Sequence, residues 1–353
     1  MIELIGNKWA KLPRVSKKIR AGKESFYNLV ETKDIEAFAK KNHGKYKFFV
    51  VLGIGGSALG TLCIQESLGH LFKKNLFVLD NIDPVLIKEL EDVIDYKKTL
   101  FIVVSKSGTT TETLAQYNYF KKKTKSFVFI GNFGKGSFQI PKDIGGRFSV
   151  LTAVGLLPAA LLNFDIKKLL KGAEKMKTNL TPAYQLAALQ HKFYKQGKNI
   201  TVLMPYAQKL FRFADWYRQL LAESIGKNSR IGITPVNALG ATDQHSQLQL
   251  YSDGPNDKFF IFIEVENSKP NIPPFNKLLN IELNATREAL TKKHRPCVTI
   301  KIPSINEETL GALFMFFEAE IAFLGKMFHI NAFDQPGVEL TKKLIKKALH
   351  ANS

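Results

Sequence analysis

Cysteine is almost absent: the 353-residue chain carries two, Cys63 and Cys297, far apart in sequence. That excludes a disulfide framework and any cysteine-based metal site, and it fits a reducing, cytoplasmic setting. Histidine is also sparse, and the seven residues at 43, 70, 191, 245, 294, 329 and 350 form no metal-ligand spacing. No stretch of about twenty apolar residues is free of charge, so no membrane span is expected. The N-terminal run MIELIGNKWAKLPRVSKKIR lacks both an apolar core of about 7–15 residues and a small-residue cleavage site, so no secretion signal is expected.

Acidic residues are outnumbered, 31 against 51 Lys and Arg, for a net charge of +20. Such an excess raises nucleic-acid binding as a function. The lysines, however, lie in short scattered clusters such as Lys121–Lys123 and Lys346–Lys347, with no zinc-finger spacing, RNA-recognition signature or long basic tail. They read as solvated faces that would also speed encounter with an anionic substrate.

What is abundant is apolar sequence, 45% of the chain, enough for two compact domains. Short β-branched and aromatic runs alternate with segments of helical period. Strands are expected at 46–54, 76–80, 99–105 and 126–132, with helices at 57–72, 84–94 and 110–123 between them. Helices are expected at 150–165, 166–178 and 182–196. A second rhythm follows, with strands at 199–206, 231–238, 258–266 and 297–302. Its helices are expected at 211–226, around 242–250, at 307–328 and at 338–350. The alternation predicts an α/β protein with two doubly wound parallel sheets, divided into subdomains over 1–170 and 171–353.

Six segments carry candidate chemistry. The first strand runs into Gly53-Ile54-Gly55-Gly56-Ser57, where glycines let backbone N–H groups approach an anion and Ser57 offers a hydroxyl and a helix cap. It is neither a complete G-x-G-x-x-G motif, since Ala58 holds the last position, nor a P-loop. A serine-capped tight turn has the same sequence. Ser105-Lys106-Ser107-Gly108-Thr109-Thr110-Thr111-Glu112-Thr113 also joins a strand to a helix. Its hydroxyls suit either phosphate binding or helix capping. Two such loops at the carboxyl ends of strands in one sheet favour phosphate, because ligands of open α/β sheets bind there.

Gly145-Gly146-Arg147-Phe148-Ser149 offers a close backbone approach beside a permanent positive charge, suited to developing negative charge or simply to a surface turn. Gln219 and Glu223 are four apart on one helix face, with Glu223 near the C-terminus, where the dipole disfavours a carboxylate and suits a general base. A solvated glutamate fits the same position. His245, within Asp243-Gln244-His245-Ser246-Gln247, could relay a proton or cap a helix. Asp334-Gln335-Pro336-Gly337-Val338-Glu339-Leu340-Thr341-Lys342-Lys343 enters the last helix, with Lys342 one turn in.

Taken in order, GIGGS, SKSGTTTET, GGRFSVLTAVGL, QLLAESIGK, GATDQHSQ and DQPGVELTKK resemble the glucose-6-phosphate isomerase family in its short bacterial-type form, over about residues 48–347. The resemblance implies two sugar-isomerase α/β subdomains and aldose–ketose isomerisation through a cis-enediolate, with neither metal nor organic cofactor. It implies Glu223 as the base, Arg147 as the stabiliser of the intermediate, and His245 and Lys342 in ring opening. It places phosphate on Ser105, Lys106, Ser107 and Thr110 with Gly56 and Ser57 nearby, and puts Gly146, Gln219 and Gln335 in the pocket. It also implies a homodimer whose histidine crosses from the neighbouring subunit, with no nucleic-acid or membrane partner. Ser107-Gly108 and Pro336 depart from the common family pattern and bear on pocket shape. An isomerase that also accepts mannose 6-phosphate shares the chemistry, although Lys342 within GVELTKK favours the glucose-specific type. A non-catalytic sugar-phosphate sensor would need the phosphate loops but not Glu223, Arg147, His245 and Lys342 together.

Overall fold

A computed structural model describes residues 2–351. Nine strands are present among them: β1 (Glu3–Gly6), β2 (Phe48–Leu52), β3 (Leu76–Leu79), β4 (Thr99–Ser105), β5 (Phe127–Gly131), β6 (Ile200–Pro205), β7 (Thr234–Asn237), β8 (Lys258–Val265) and β9 (Cys297–Ile302). The helices of the first half are α1 (Lys33–Asn42), α2 (Leu59–Leu68), α3 (Pro84–Val93), α4 (Thr111–Phe120), α5 (Ala153–Leu161) and α6 (Ile166–Lys177). Those of the second are α7 (Thr181–Lys195), α8 (Phe211–Ile225), α9 (Leu248–Asp253), α10 (Pro273–Lys292), α11 (Glu307–Met327) and α12 (Glu339–Ala351).

The strands form two sheets. One is wholly parallel, in the order β3-β2-β4-β5; the other runs β1-β9-β8-β6-β7, parallel except for β1, which pairs antiparallel with β9. Parallel strands covered on both faces read as near-continuous apolar runs, and FFVVL of β2 is buried throughout. Alternation along a strand then sorts side chains between two cores. Phe49 and Val51 of β2, Ile102 and Val104 of β4, and Leu203, Ile261 and Ile300 of the second sheet all join one large core with the central helices. Val50, Leu52, Phe101 and Val103 point the other way, toward Leu90 of α3 and Phe120 of α4. Val202, Met204, Phe260 and Phe262 likewise meet Leu283 and Leu290 of α10. Both sheets thus share the helical layer between them.

Fold class and most elements match the sequence expectation, with ends shifted by a few residues. Three elements lie outside it. β1 is four residues long and gains its place only by pairing with β9, so the N-terminal strand joins the distal sheet. α1 is short and highly charged. α10 opens on two prolines and leaves Phe275, Leu278 and Ile281 exposed, so its pattern lacks a clean buried face. The segment expected as a helix around 242–250 is a 3-10 turn at Thr242–Gln244 followed by α9. Among the described residues, no helix is long and apolar enough to cross a membrane.

In the first sheet β2 sits between β3 and β4, so successive crossovers leave in opposite directions. The loops after β2 and β4 therefore flank a topological switch point, where open α/β sheets bind ligands.

Candidate active site

The loop after β2 turns at Gly55, whose φ of +58° favours glycine. Gly55–Ser57 forms a 3-10 turn, and α2 begins beyond it with Ala58 at its N-cap and no capping side chain. Ser57 therefore does not cap the helix: the chain needs the extra turn to bring its backbone against the Gly146 loop. A Cβ on Gly56 would stand 2.3 Å from the Gly146 carbonyl carbon and 2.6 Å from the Arg147 nitrogen. Only glycine permits that approach.

The loop after β4 has the same lack of a side-chain cap. Thr110 occupies the N-cap of α4 but makes no capping bond; its hydroxyl is 2.8 Å from that of Ser105. Ser107 accepts from the Thr109 backbone and hydroxyl at 3.2 and 3.0 Å, while Lys106 and Ser107 are exposed. A helix start whose hydroxyls are not spent on capping keeps first-turn N–H groups and dipole open to an anion.

The centre of the site is Arg147, whose side chain is 2% exposed. Its Nε donates to Ser224 Oγ at 2.8 Å. Its Nη1 donates to Glu223 Oε2 at 3.2 Å and to Gln335 Oε1 at 3.0 Å. Its Nη2 donates to the carbonyls of Ala332 and Asp334 at 2.6 and 2.8 Å. Burial draws its proton affinity down, and the Glu223 charge opposes that; a guanidinium stays charged throughout. Gln219 Nε2 donates to the other Glu223 oxygen at 3.0 Å, as the spacing of four on α8 requires. Gln219 Nε2 also lies where a Cβ on Gly55 would come within 3.0 Å, so α8 of the second half reaches the β2 loop of the first.

Of the residues expected from sequence, Arg147, Gln219, Glu223 and Gln335 form one hydrogen-bonded cluster, with Gly56 and Gly146 packed beside it. His245 is exposed just after the 3-10 turn at Thr242–Gln244. Lys342 is exposed on α12 and pairs with Glu339 at 2.9 Å. Three participants had no role assigned from sequence: Ser224, Lys227 and Asp334. Lys227 follows Glu223 by four; its side chain is 8% exposed, and its amine pairs with Asp334 Oδ1 at 3.0 Å and donates to the Asp334 carbonyl. Burial lowers its proton affinity, and Asp334 opposes that. The only sequence signal for it is its place in QLLAESIGK.

Two α/β sheets, one wholly parallel and one parallel but for β1, joined by a shared helical layer and with glycine- and hydroxyl-rich loops at the switch point of the first, define a protein of the sugar-isomerase fold class. The phosphoglucose isomerase family model matches residues 10–126, 124–290 and 277–352. A glucose-6-phosphate isomerase of Carboxydothermus hydrogenoformans is 44% identical over 375 residues, covering 89% of this chain and 81% of that one. One from Methanocaldococcus jannaschii is 36% identical, covering 93% and 90%. The crystal structure of a hypothetical protein from Thermus thermophilus superposes with a TM-score of 0.83 at 32% identity, covering 92% and 90%. The chain belongs to the phosphoglucose isomerase family.

Proposed function

We propose that this protein interconverts glucose 6-phosphate and fructose 6-phosphate, as an aldose–ketose isomerase. Family membership supports the substrate. The observation that carries the mechanism is the convergence of Arg147 and Gln219 on the two oxygens of Glu223.

A proton on carbon beside a carbonyl is weakly acidic, and a positioned carboxylate contributes about 10²–10⁴-fold to its removal. Glu223 takes the proton from C2 of the open-chain aldose and returns it to C1. Between these steps the substrate is a cis-enediolate, and Arg147 places fixed positive charge beside its oxygen, a contribution of about 3–4 kcal/mol for a single well-aimed donor in comparable oxyanion sites. Neither step needs a metal or an organic cofactor. Gln219 and Gln335 orient the two charged groups, and the Gly56–Gly146 contact sets the pocket floor. The phosphate sits on Ser105, Lys106, Ser107 and Thr110 at the start of α4, with Ser57 adjacent. His245 and Lys342 serve ring opening, which requires a proton to move between two sugar oxygens.

Both residues lie outside the Arg147 cluster, and this supports a homodimer in which a neighbouring subunit completes the site. Every described side chain of α12 is exposed, including the apolar Leu340, Leu344, Ile345 and Leu349, so the helix has an apolar face with no described residue of its own chain beneath it. The subdomains lie over 1–170 and 171–353, except that β1 pairs with β9 of the second sheet and the boundary falls inside α6.

The test follows the proton. With glucose 6-phosphate deuterated at C2, a carboxylate base releases part of the label to water and delivers part to C1 of the product. Complete retention at C1 together with undiminished turnover by Glu223→Gln would indicate direct hydride transfer and would refute the base.

A further inference from the structure

Resting on the isomerase reading above, we propose that Lys227 is a positioning residue, a latch that fixes residues 332–335 over the site and thereby aims Arg147 and Gln335. Lys227 holds Asp334 twice, through the carboxylate at 3.0 Å and through the backbone carbonyl. That same carbonyl accepts from Arg147 Nη2 at 2.8 Å. One peptide oxygen is therefore shared by the amine and the guanidinium, and the next residue, Gln335, sends its side chain back to Arg147 Nη1 at 3.0 Å.

The latch has consequences at both ends. Nη2 of Arg147 is committed to two carbonyls of this segment, Ala332 and Asp334. Those carbonyls set the plane of the guanidinium, and the plane sets where Nη1 points. The Asp334 carboxylate would otherwise stand as a second anion beside Arg147. Paired with Lys227, it leaves Glu223 as the carboxylate bonded to Nη1. Lys227 lies two residues beyond the end of α8, the helix that carries Glu223, and Arg147 is tied to the same helix through Ser224 and Glu223, so base and latch extend from one helix against which the guanidinium is held. The Lys227 side chain is almost fully buried, which sets it apart from the solvated lysines on the surface.

The experiment compares Lys227→Met and Lys227→Arg with the wild type, and with Lys292→Met as a control at an exposed ion pair. Two readouts are taken: steady-state kinetics with glucose 6-phosphate, and deuterium uptake by a peptide covering 331–338. A misplacement of about 1 Å costs on the order of 10²-fold, so K227M is expected to lower kcat by roughly 10- to 100-fold with KM changed less than about threefold. Its peptide exchanges faster than in the wild type. K227R, which keeps the charge, restores slow exchange and most of kcat, a rescue that simple loss of packing would not predict. If K227M fails to fold, Asp334→Asn replaces it, with a smaller loss of kcat and the same faster exchange. Wild-type exchange and kcat in K227M, or faster exchange that K227R leaves unrescued, would overturn the latch. If the wild type does not turn over glucose 6-phosphate, the isomerase reading fails, and the exchange comparison alone decides the latch.

Discussion

Arg147 and Glu223 face each other at 3.2 Å, a guanidinium 2% exposed against a carboxylate 31% exposed. The asymmetry has a functional sense. The positive charge is locked by carbonyls and Ser224 on the protein side, while the carboxylate keeps one side open to a ligand. A buried ion pair is weak grounds for stability, and here it is better understood as an aimed pair.

Replacing Arg147 by lysine keeps the charge but loses the planar fork of five donors. Lysine cannot serve Ser224, Glu223, Gln335 and two carbonyls at once. Arg147→Lys is expected to lower kcat/KM by about 10²-fold or more, and to reduce unfolding stability by about 1–3 kcal/mol through unpaired buried carbonyls. Steady-state kinetics and denaturant titration check the two effects separately.

The Gly56 position offers a backbone test. A Cβ there meets the Gly146 carbonyl carbon at 2.3 Å and its oxygen at 2.4 Å, and no flexible side chain is available to yield. Gly56→Ala is expected to destabilise by about 1–3 kcal/mol and to displace the Arg147 loop. A Gly146 loop that accepted the methyl group with unchanged turnover would show that this contact does not shape the pocket.

Glu318 and Glu320 lie fully buried on α11, and none of their four oxygens has a hydrogen-bond partner among the described residues. Burial raises both proton affinities well above the ordinary value of 4.5, so the folded chain holds these protons at pH values where the unfolded chain has released them. The unfolded chain releases those protons above about pH 4.5 and then binds fewer than the folded one, so stability falls as pH rises. The slope approaches about 1.4 kcal/mol per pH unit for each carboxyl. Relative to the wild type, Glu318→Gln and Glu320→Gln are expected to gain stability as pH rises above about 4.5, the ordinary carboxyl value at which the unfolded chain releases these protons. Melting temperatures that differ by the same amount at every pH would contradict this.

The apolar face of α12 makes its own prediction. The protein is expected to run at twice its 39.7 kDa chain mass in light scattering. The double change Leu344→Glu and Leu349→Glu is expected to shift it toward monomer and to lower activity with it. A fully active monomer would show that α12 does not join subunits.

Much of this architecture was legible in the sequence because parallel strands buried on both faces, such as FFVVL and FIVVS, leave an unbroken apolar signature. β1 was not legible, since four residues of mixed polarity become a strand only when β9 supplies the partner. α10 was hidden by its exposed apolar residues. In the site, Glu223 and Gln219 could be paired because helix geometry fixes their spacing. The link from Lys227 to Asp334, 107 residues apart, has no local signal and exists only after the two sheets share their helical layer. The expected Ser57 cap failed for a similar reason: the turn before α2 serves the Gly146 loop rather than the helix.

The proposed role of Glu223 is tested by fructose 6-phosphate formation from glucose 6-phosphate, with a chelator present, by the wild type and by Glu223→Gln. Robust wild-type turnover is expected, with a loss of about 10²–10⁴-fold or more in the variant and sugar-phosphate binding retained. Near-normal turnover by Glu223→Gln would contradict that role.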